Sequence, residues 1–582
     1  MTLLTTSAAV TVRLIFLFEE RKAVMLLFIT LIMLVVGQVT ESATNNNGGY
    51  HCQFSVVGAG PGGLYAAWRL GNSSVYPWNK ICVFEKTNRV GGRAYSVRGY
   101  GPVVDIGAHR FQPVEHVIMN SLVTQILNLP TSCYSRTADC LLNQNQAYFI
   151  RNAYTGDFET SHKIPYFLNA DELWTKKEGQ PNPLVEVFED NYLFFFDYLA
   201  NFSSLDPSIH YPTMTKALNQ IRTYQVNNIY PNQLDTHLGL PQHSSEYFSL
   251  FVDSNGESLS TLPEINLYDA AREEAYYGPD EEGAEKLVIV YPDTGLEAGY
   301  ATVSETLATL LESKGVSVYL NSEVSGVHYN NNVVTLSLSN GGSVNSNAAV
   351  LNIPPTQLLQ LSHDSAVFTP ATKQLFSFFR PVCAVKGYLY YKTRWWDPYA
   401  GFEVTTTNNL KFFDLKDSSN DTTGGGYINA AYPDGADVCF FFQQARQNQS
   451  DPLVIIQANT TDAKQLVFYQ NFLGQFEQSI QEAFNFTIPI KPVTLVMGVW
   501  DAAWHQNPTS NYTGGAPSAL ALNPVPGIPI YLANEAYSWD QGWAEGSLAM
   551  AEKVCHKYFN LNRLPWMGNS YWYNAIIEQE FI

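Results

Sequence analysis
The chain is poor in charge, and the charge it carries is one-sided. Only 15% of its 582 residues are Asp, Glu, Lys or Arg, and 53 acids against 33 bases leave a formal net charge of −20. Such a balance excludes a nucleic-acid phosphate backbone as a natural partner, because that partner selects basic surfaces. Cysteine is scarce as well. The seven residues Cys52, Cys82, Cys133, Cys140, Cys383, Cys439 and Cys555 include no CxxC, so metal-ligand spacing is absent and no metal site is expected. The leading apolar run, Ala23 to Val36, is about fourteen residues long where a membrane-spanning helix needs about twenty.

What is present fits an exported globular protein. Arg21-Lys22 precede the apolar run and Gly37-Gln38-Val39-Thr40 follow it, the order of a secretory signal. Residues 1–43 are therefore expected to be a signal peptide with a leader, or else an uncleaved signal anchor, and Met25 is an alternative start. Secretion to the extracellular space is the expectation, with no stable membrane span after signal removal. Asn-x-Ser/Thr sequons at Asn72, Asn201, Asn420, Asn448, Asn459, Asn485 and Asn511 agree with a glycoprotein. Cys133 and Cys140 are close enough in sequence for a bridge, whereas Cys82, in an apolar strand, reads as a free core thiol. A 46% hydrophobic composition over this length is enough for more than one domain.

The most informative stretch is Phe54-Ser55-Val56-Val57-Gly58-Ala59-Gly60-Pro61-Gly62-Gly63-Leu64, with Ile81-Cys82-Val83-Phe84-Glu85 after it. A short apolar run, spaced glycines and an Ala/Leu-rich run predict strand, tight turn and helix, whose N-terminus favours a pyrophosphate. In that pattern Gly58 makes the turn, Gly60 admits the diphosphate, Gly63 lets helix and strand pack, and Glu85 accepts from ribose hydroxyls. Arg89-Val90-Gly91-Gly92-Arg93 adds bare backbone beside guanidinium forks, a chemistry suited to phosphates.

Farther on, Leu184 to Ala200 carries apolar residues at helical spacing, and an acidic loop runs from Gly278 to Gly283. The nucleotide-binding pattern is expected to resume at Val288-Ile289-Val290. A helix over Ala301 to Lys314, a strand over Val316 to Leu320, a polar hairpin and a buried strand from Ala348 follow. Lys386 interrupts the apolar run Val382 to Leu389, and a buried ammonium is costly unless it is paired or used. The chain returns through Ile530 to Glu535 and a helix from about Gly542 to Tyr558.

Taken in order, GAGPGG, Glu85, RVGGR, the Asp105-Ile106-Gly107-Ala108-His109-Arg110 segment, Pro292 to Gly299, Val350 to Pro354 and the Ala533 to Gly546 stretch resemble the flavin-dependent amine oxidase superfamily. The resemblance implies an α/β fold: a three-segment Rossmann-like FAD-binding domain (51–130, 286–360 and 491–560) with an α+β substrate-binding domain (131–285 and 361–490) and a C-terminal tail, 561–582. It implies FAD as cofactor, held by Gly58, Gly60, Gly63, Glu85, Gly92, Arg93, Val324 and Glu535. Ala516 after Gly514-Gly515 offers no thiolate where monoamine oxidases use cysteine, so the flavin is expected to be noncovalent. Family members usually have Gly where Asn534 stands, a change that is tolerable if φ stays negative.

Within the superfamily, Gly107-Ala108-His109-Arg110 resembles the segment by which L-amino-acid oxidases clamp the substrate carboxylate, with His109 in place of methionine. A guanidinium fork matches a carboxylate, and a bare amine offers it nothing. Arg110 and Trp543 are thus the expected substrate-binding residues, and Lys386 and His109 the catalytic ones. Lys386 resembles the lysine that assists reaction with molecular oxygen, and His109 is a candidate base for the substrate ammonium. The implied reaction is oxidative deamination of an L-amino acid to a 2-oxo acid, ammonia and hydrogen peroxide. Segments around Glu535 and Gly542 look closer to the mollusc group of secreted L-amino-acid oxidases, which favours basic amino acids and acts in defence. Two alternatives stay open: an amine or polyamine oxidase in which Arg110 is structural, and a non-catalytic secreted binding or defence glycoprotein.

Overall fold
The computed structural model describes residue 50, residues 52–134 apart from 115, the strands 145–151, 158–160 and 164–165, residues 286–567 apart from 400–401, 406–407, 411, 416–423, 434–435, 447–450, 507–515 and 539, and Ile577. The expected leader, the Leu184 to Ala200 helix, the 278–283 loop, Cys140 and the Gly514-Gly515 pair lie outside the described residues, as do the sequons at Asn201, Asn420, Asn448 and Asn511. Asn72, Asn459 and Asn485 are exposed. No helix among the described residues is long and apolar enough to cross a membrane.

Strands β1 (Phe54–Val57) and β2 (Ile81–Phe84) are four-residue apolar runs with every side chain buried, the pattern of strands covered on both faces. Between them Pro61 opens helix α1 (Pro61–Asn72), where its missing N–H costs nothing. Gly58 turns the chain at φ +97°, and a Cβ there would stand 2.5 Å from the Asn352 carbonyl oxygen. A Cβ on Gly63 would overlap the Gly58 carbonyl, so helix and strand approach as closely as the glycine spacing predicts.

Helix α2 (Ala301–Lys314) ends on Gly315 in the left-handed conformation and leads into β3 (Ser317–Tyr319). After a three-stranded antiparallel meander over 324–346, whose first hairpin turns on Asn331 and Asn332 with positive φ, comes the buried strand β4 (Ala348–Leu351). Two long strands follow, β5 (Arg380–Tyr391) and β6 (Thr494–Gln506), then β7 (Ile530–Leu532) and helix α3 (Ala544–Phe559).

Five of these strands form one parallel sheet in the order β3-β2-β1-β4-β7, drawn from three separated stretches of chain. Strand order reverses at β1, where Val57 is in register with both Phe84 and Leu351. A crevice opens at the carboxyl ends of the strands at such a switch point. The fold class is α/β, as the motifs imply.

Among the described residues a second sheet has nine strands, with β5 and β6 as antiparallel neighbours one strand in from an edge. One face packs on the helix Ala463–Phe484 through Phe468, Phe472 and Phe476, beside Trp395 and Trp396. The Asp462 carboxylate caps that helix, accepting from the Lys464 and Gln465 amides at 2.9 and 3.0 Å. Segment 104–107 is the seam between the sheets: Tyr388 donates to the Asp105 carbonyl (3.1 Å) and Trp500 to that of Ile106 (2.6 Å).

Two expectations are corrected. Cys82 is not a free thiol but is bonded to Cys52, tying β2 to the chain entering β1. The neighbouring parallel strands bring the two side chains together, a contact that strand patterning alone does not reveal. Leu287–Ile289 does not resume the parallel sheet; it pairs antiparallel with Thr131–Cys133, covered by Tyr134 in a small satellite cluster. Cys133 is disulfide-bonded, Cys383 is bonded to Cys439, and Cys555 is free and buried.

Candidate active site
A cavity of about 830 Å3 runs from the carboxyl ends of β1 and β2 to the face of β5 and β6, within the range of about 300–1,000 Å3 usual for ligand clefts. Gly58, Gly60, Glu85, Gly92, Arg93, Val324, Glu535, His109, Arg110, Lys386 and Trp543 all line it. Gly63 does not; its place is the contact between α1 and β1.

At the parallel-sheet end the site is mostly backbone. Among the described residues no side chain caps α1, and its first turn holds no acid, so its amides and dipole remain available to an anion. The Glu85 carboxylate accepts from the Ala59 amide (3.0 Å) and from the amide and hydroxyl of Thr87 (2.9 and 2.8 Å). Gly92 lies against Gly60, a Cβ on it falling 3.6 Å from the Gly60 Cα. Arg93 pairs with Glu535 through both guanidinium branches and also donates to the Ala503 carbonyl at 2.7 Å. Burial alone would push the Glu535 carboxyl up, but Arg93, with help from His505 and the Ala536 amide, holds it below the usual range. Asn534 has φ −113°, and its side chain accepts from the Ala536 amide; the negative φ is the condition under which a residue with a Cβ replaces glycine without strain.

The other end is built from side chains. Buried Lys386 projects from β5, opposite Gly498 of β6, with its ammonium 5.0 Å from the centre of the Tyr432 ring. Arg110 is half-buried, its guanidinium 4.8 Å from the Tyr134 ring centre. That ring also meets His109 edge-on at 5.3 Å, and the Tyr134 hydroxyl donates to buried Asp414 at 3.1 Å. His109 Nε2 faces Glu297 at 3.3 Å. Nearby, burial pushes the Asp105 carboxyl up to about 6 even though it accepts from the Tyr300 amide at the head of α2 and from Ser96.

Trp543 stands at the N-terminus of α3 with its ring 4.7 Å from buried His116. The His116 Nδ1 accepts from the Gln112 amide at 3.1 Å, while burial and Lys286 push the imidazole down to about 3. One residue beyond Trp543 is Ala544, and then Glu545, which accepts from the Ile118 and Met119 amides at 2.9 and 2.8 Å. Burial nevertheless raises it to about 8.

A family model described as flavin containing amine oxidoreductase matches residues 61–555. The chain belongs to that family. This flavin-containing amine oxidoreductase is 23% identical to achacin of Lissachatina fulica over 537 residues, 87% of this chain and 92% of achacin. Its fold is like that of putrescine oxidase. A triple mutant redesigned for cofactor binding and the wild type bound to putrescine each superpose with a TM-score of 0.59 at 15% identity, covering 88% of this chain and 99% of theirs. Its cofactor is FAD, and it is an oxidase of amines or amino acids.

The residues present fit that cofactor. The Gly58 and Gly60 turn leaves backbone where a Cβ would block the approach, α1 presents uncapped amides, and the Glu85 carboxylate faces the same cavity. Tyr134, Tyr432, Glu297 and Asp414 escaped the sequence reading. Tyr134, Tyr432 and Asp414 belong to no motif and Glu297 is an unremarked position of the Pro292 to Gly299 segment; each matters by contact with a residue distant in sequence.

Proposed function
We propose that the protein is a secreted L-amino-acid oxidase that binds FAD noncovalently and converts an L-amino acid to a 2-oxo acid, ammonia and hydrogen peroxide. The observation that carries this reading is Arg110. Its guanidinium lines the same cavity as the glycine turn and Lys386, laid against the Tyr134 ring. A carboxylate is the ligand that a planar guanidinium matches with two parallel hydrogen bonds.

Gly58, Gly60 and the head of α1 would hold the cofactor's diphosphate together with Arg93, and Glu85 would hold a ribose. When bound, FAD would supply the two-electron redox chemistry. The remaining work falls to side chains. Arg110 grips the carboxylate and so fixes the α-carbon's orientation, a contribution of positioning. Trp543, braced by His116, walls the cavity and excludes water. His109, held between Glu297 and the Tyr134 edge, takes the proton that the substrate ammonium must lose before its nitrogen can donate electrons. Lys386, steadied by Tyr432, keeps a positive charge where oxygen is reduced.

Anaerobic addition of L-lysine, L-phenylalanine, putrescine or spermine to the purified protein tests the reading. Bleaching of the flavin band by an L-amino acid supports it. Bleaching by putrescine or spermine alone makes the protein an amine oxidase, and an intact band with both amino acids overturns the reading.

A further inference from the structure
Strand β6 runs along the cavity, which Trp500, Ala503 and Trp504 all line. The next residue, His505, has no exposed surface, and among the described residues neither of its ring nitrogens has a hydrogen-bond partner. A neutral imidazole carries one donor and one acceptor, and burying both unmet is costly. Its charged neighbours are Glu535 and Arg93. Tyr537 shares a turn with Glu535, and Arg380 adjoins the β5 residue Pro381 that is in register with His505. At present both Glu535 oxygens are taken by Arg93.

We propose that His505 is a positioning residue held in reserve for Glu535: when the FAD diphosphate draws the Arg93 donors, the Glu535 carboxylate accepts instead from His505, which takes a proton from solvent. The proposal rests on the reading of Arg93 as a phosphate contact. The transfer balances charge, since a carboxylate losing its guanidinium in a buried setting needs another cation. Burial, reinforced by Arg93 against the pull of Glu535, pushes the His505 imidazole down to about 4. Above that pH it is neutral before the cofactor binds. Binding of the dianion raises it, so FAD is held more tightly as pH falls.

Flavin release from diluted holoenzyme, followed by fluorescence between pH 5 and 8, tests this in the wild type, His505→Phe and His505→Asn. The wild-type dissociation constant is expected to rise with pH by up to about tenfold per unit. In both variants the profile flattens, and His505→Phe binds FAD about tenfold more weakly at the acidic end. The apolar ring also removes two unmet polar atoms, so flavin-depleted His505→Phe melts no lower than flavin-depleted wild type. One pH profile shared by all three proteins overturns the proposal. A flat profile for the wild type does so as well. The reading of Arg93 is checked separately with Arg93→Met: unchanged FAD affinity there overturns both the phosphate contact and the switch.

Discussion
The two ends of the cavity are made of different material. Around β1 and α1 the contacts come from backbone: the Gly58 turn, uncapped amides and a glycine-to-glycine approach at Gly60 and Gly92. Around β5, β6 and segment 104–110 they come from side chains whose positions depend on other side chains, Arg110 on Tyr134, Lys386 on Tyr432 and His109 on Glu297. Backbone recognition suits a constant ligand, because its geometry is set by φ and ψ. Side-chain recognition suits the variable part of the chemistry, because one substitution changes the charge presented to the substrate.

If that division is right, substitutions at the two ends fail differently. The largest effect is expected at the backbone end. Gly58→Val forces a branched side chain into a left-handed conformation against the Asn352 carbonyl, should cost about 3 kcal/mol or more, and should yield protein without the flavin absorbance band. Flavin retained at wild-type occupancy would contradict the role of this turn. Next comes Arg110→Met, expected to lower kcat/KM for L-amino acids about a thousandfold, in line with the loss of one partner of a buried charge pair, while flavin content stays unchanged. Steady-state peroxide assays check it, and equal losses on amino acids and amines would show Arg110 to be structural.

A smaller loss, about a hundredfold, is expected from Lys386→Met in the reoxidation of reduced enzyme by oxygen, with anaerobic reduction by substrate changed much less. Stopped-flow measurement of the two half-reactions separates them. The smallest effect concerns stability. Glu545 is raised to about 8 in the folded protein from an ordinary 4.5, so the folded state holds a proton that the unfolded state releases between those values. Stability therefore falls as pH rises through that window. Glu545→Gln should flatten the melting-temperature profile there, by about 1 °C for each kcal/mol of coupling removed in a chain of this length. An unchanged slope would mean that Glu545 stays ionised on its two backbone amides.

The parallel sheet was legible because its signals are local. A four-residue apolar strand, glycines at fixed spacing and Pro61 at the head of α1 each state their role within one turn of chain, as does Gly315 at the end of α2. Leu287–Ile289 was misread for the same reason: a short apolar run says strand but not which sheet, and its partner Thr131–Cys133 lies far away in sequence. Cys82 shows the same limit, since its bond to Cys52 depends on the register of β1 with β2. At the side-chain end Arg110, His109 and Lys386 could be singled out from their own segments, whereas Tyr134 and Tyr432 carried no local mark and Glu297 lay in the Pro292 to Gly299 segment with nothing to distinguish it from its neighbours.

By itself the sequence determined where the chain turns, which runs are buried and where backbone is left bare beside the cavity, because glycine, proline and apolar periodicity act through backbone sterics over a few residues. Only the tertiary structure decided that Arg93 and Glu535 pair, that Tyr134 serves both His109 and Arg110, and that His505 is enclosed with its nitrogens unmet by any described residue. Those are matters of burial and of distance between remote segments, and electrostatic interactions take their strength from both.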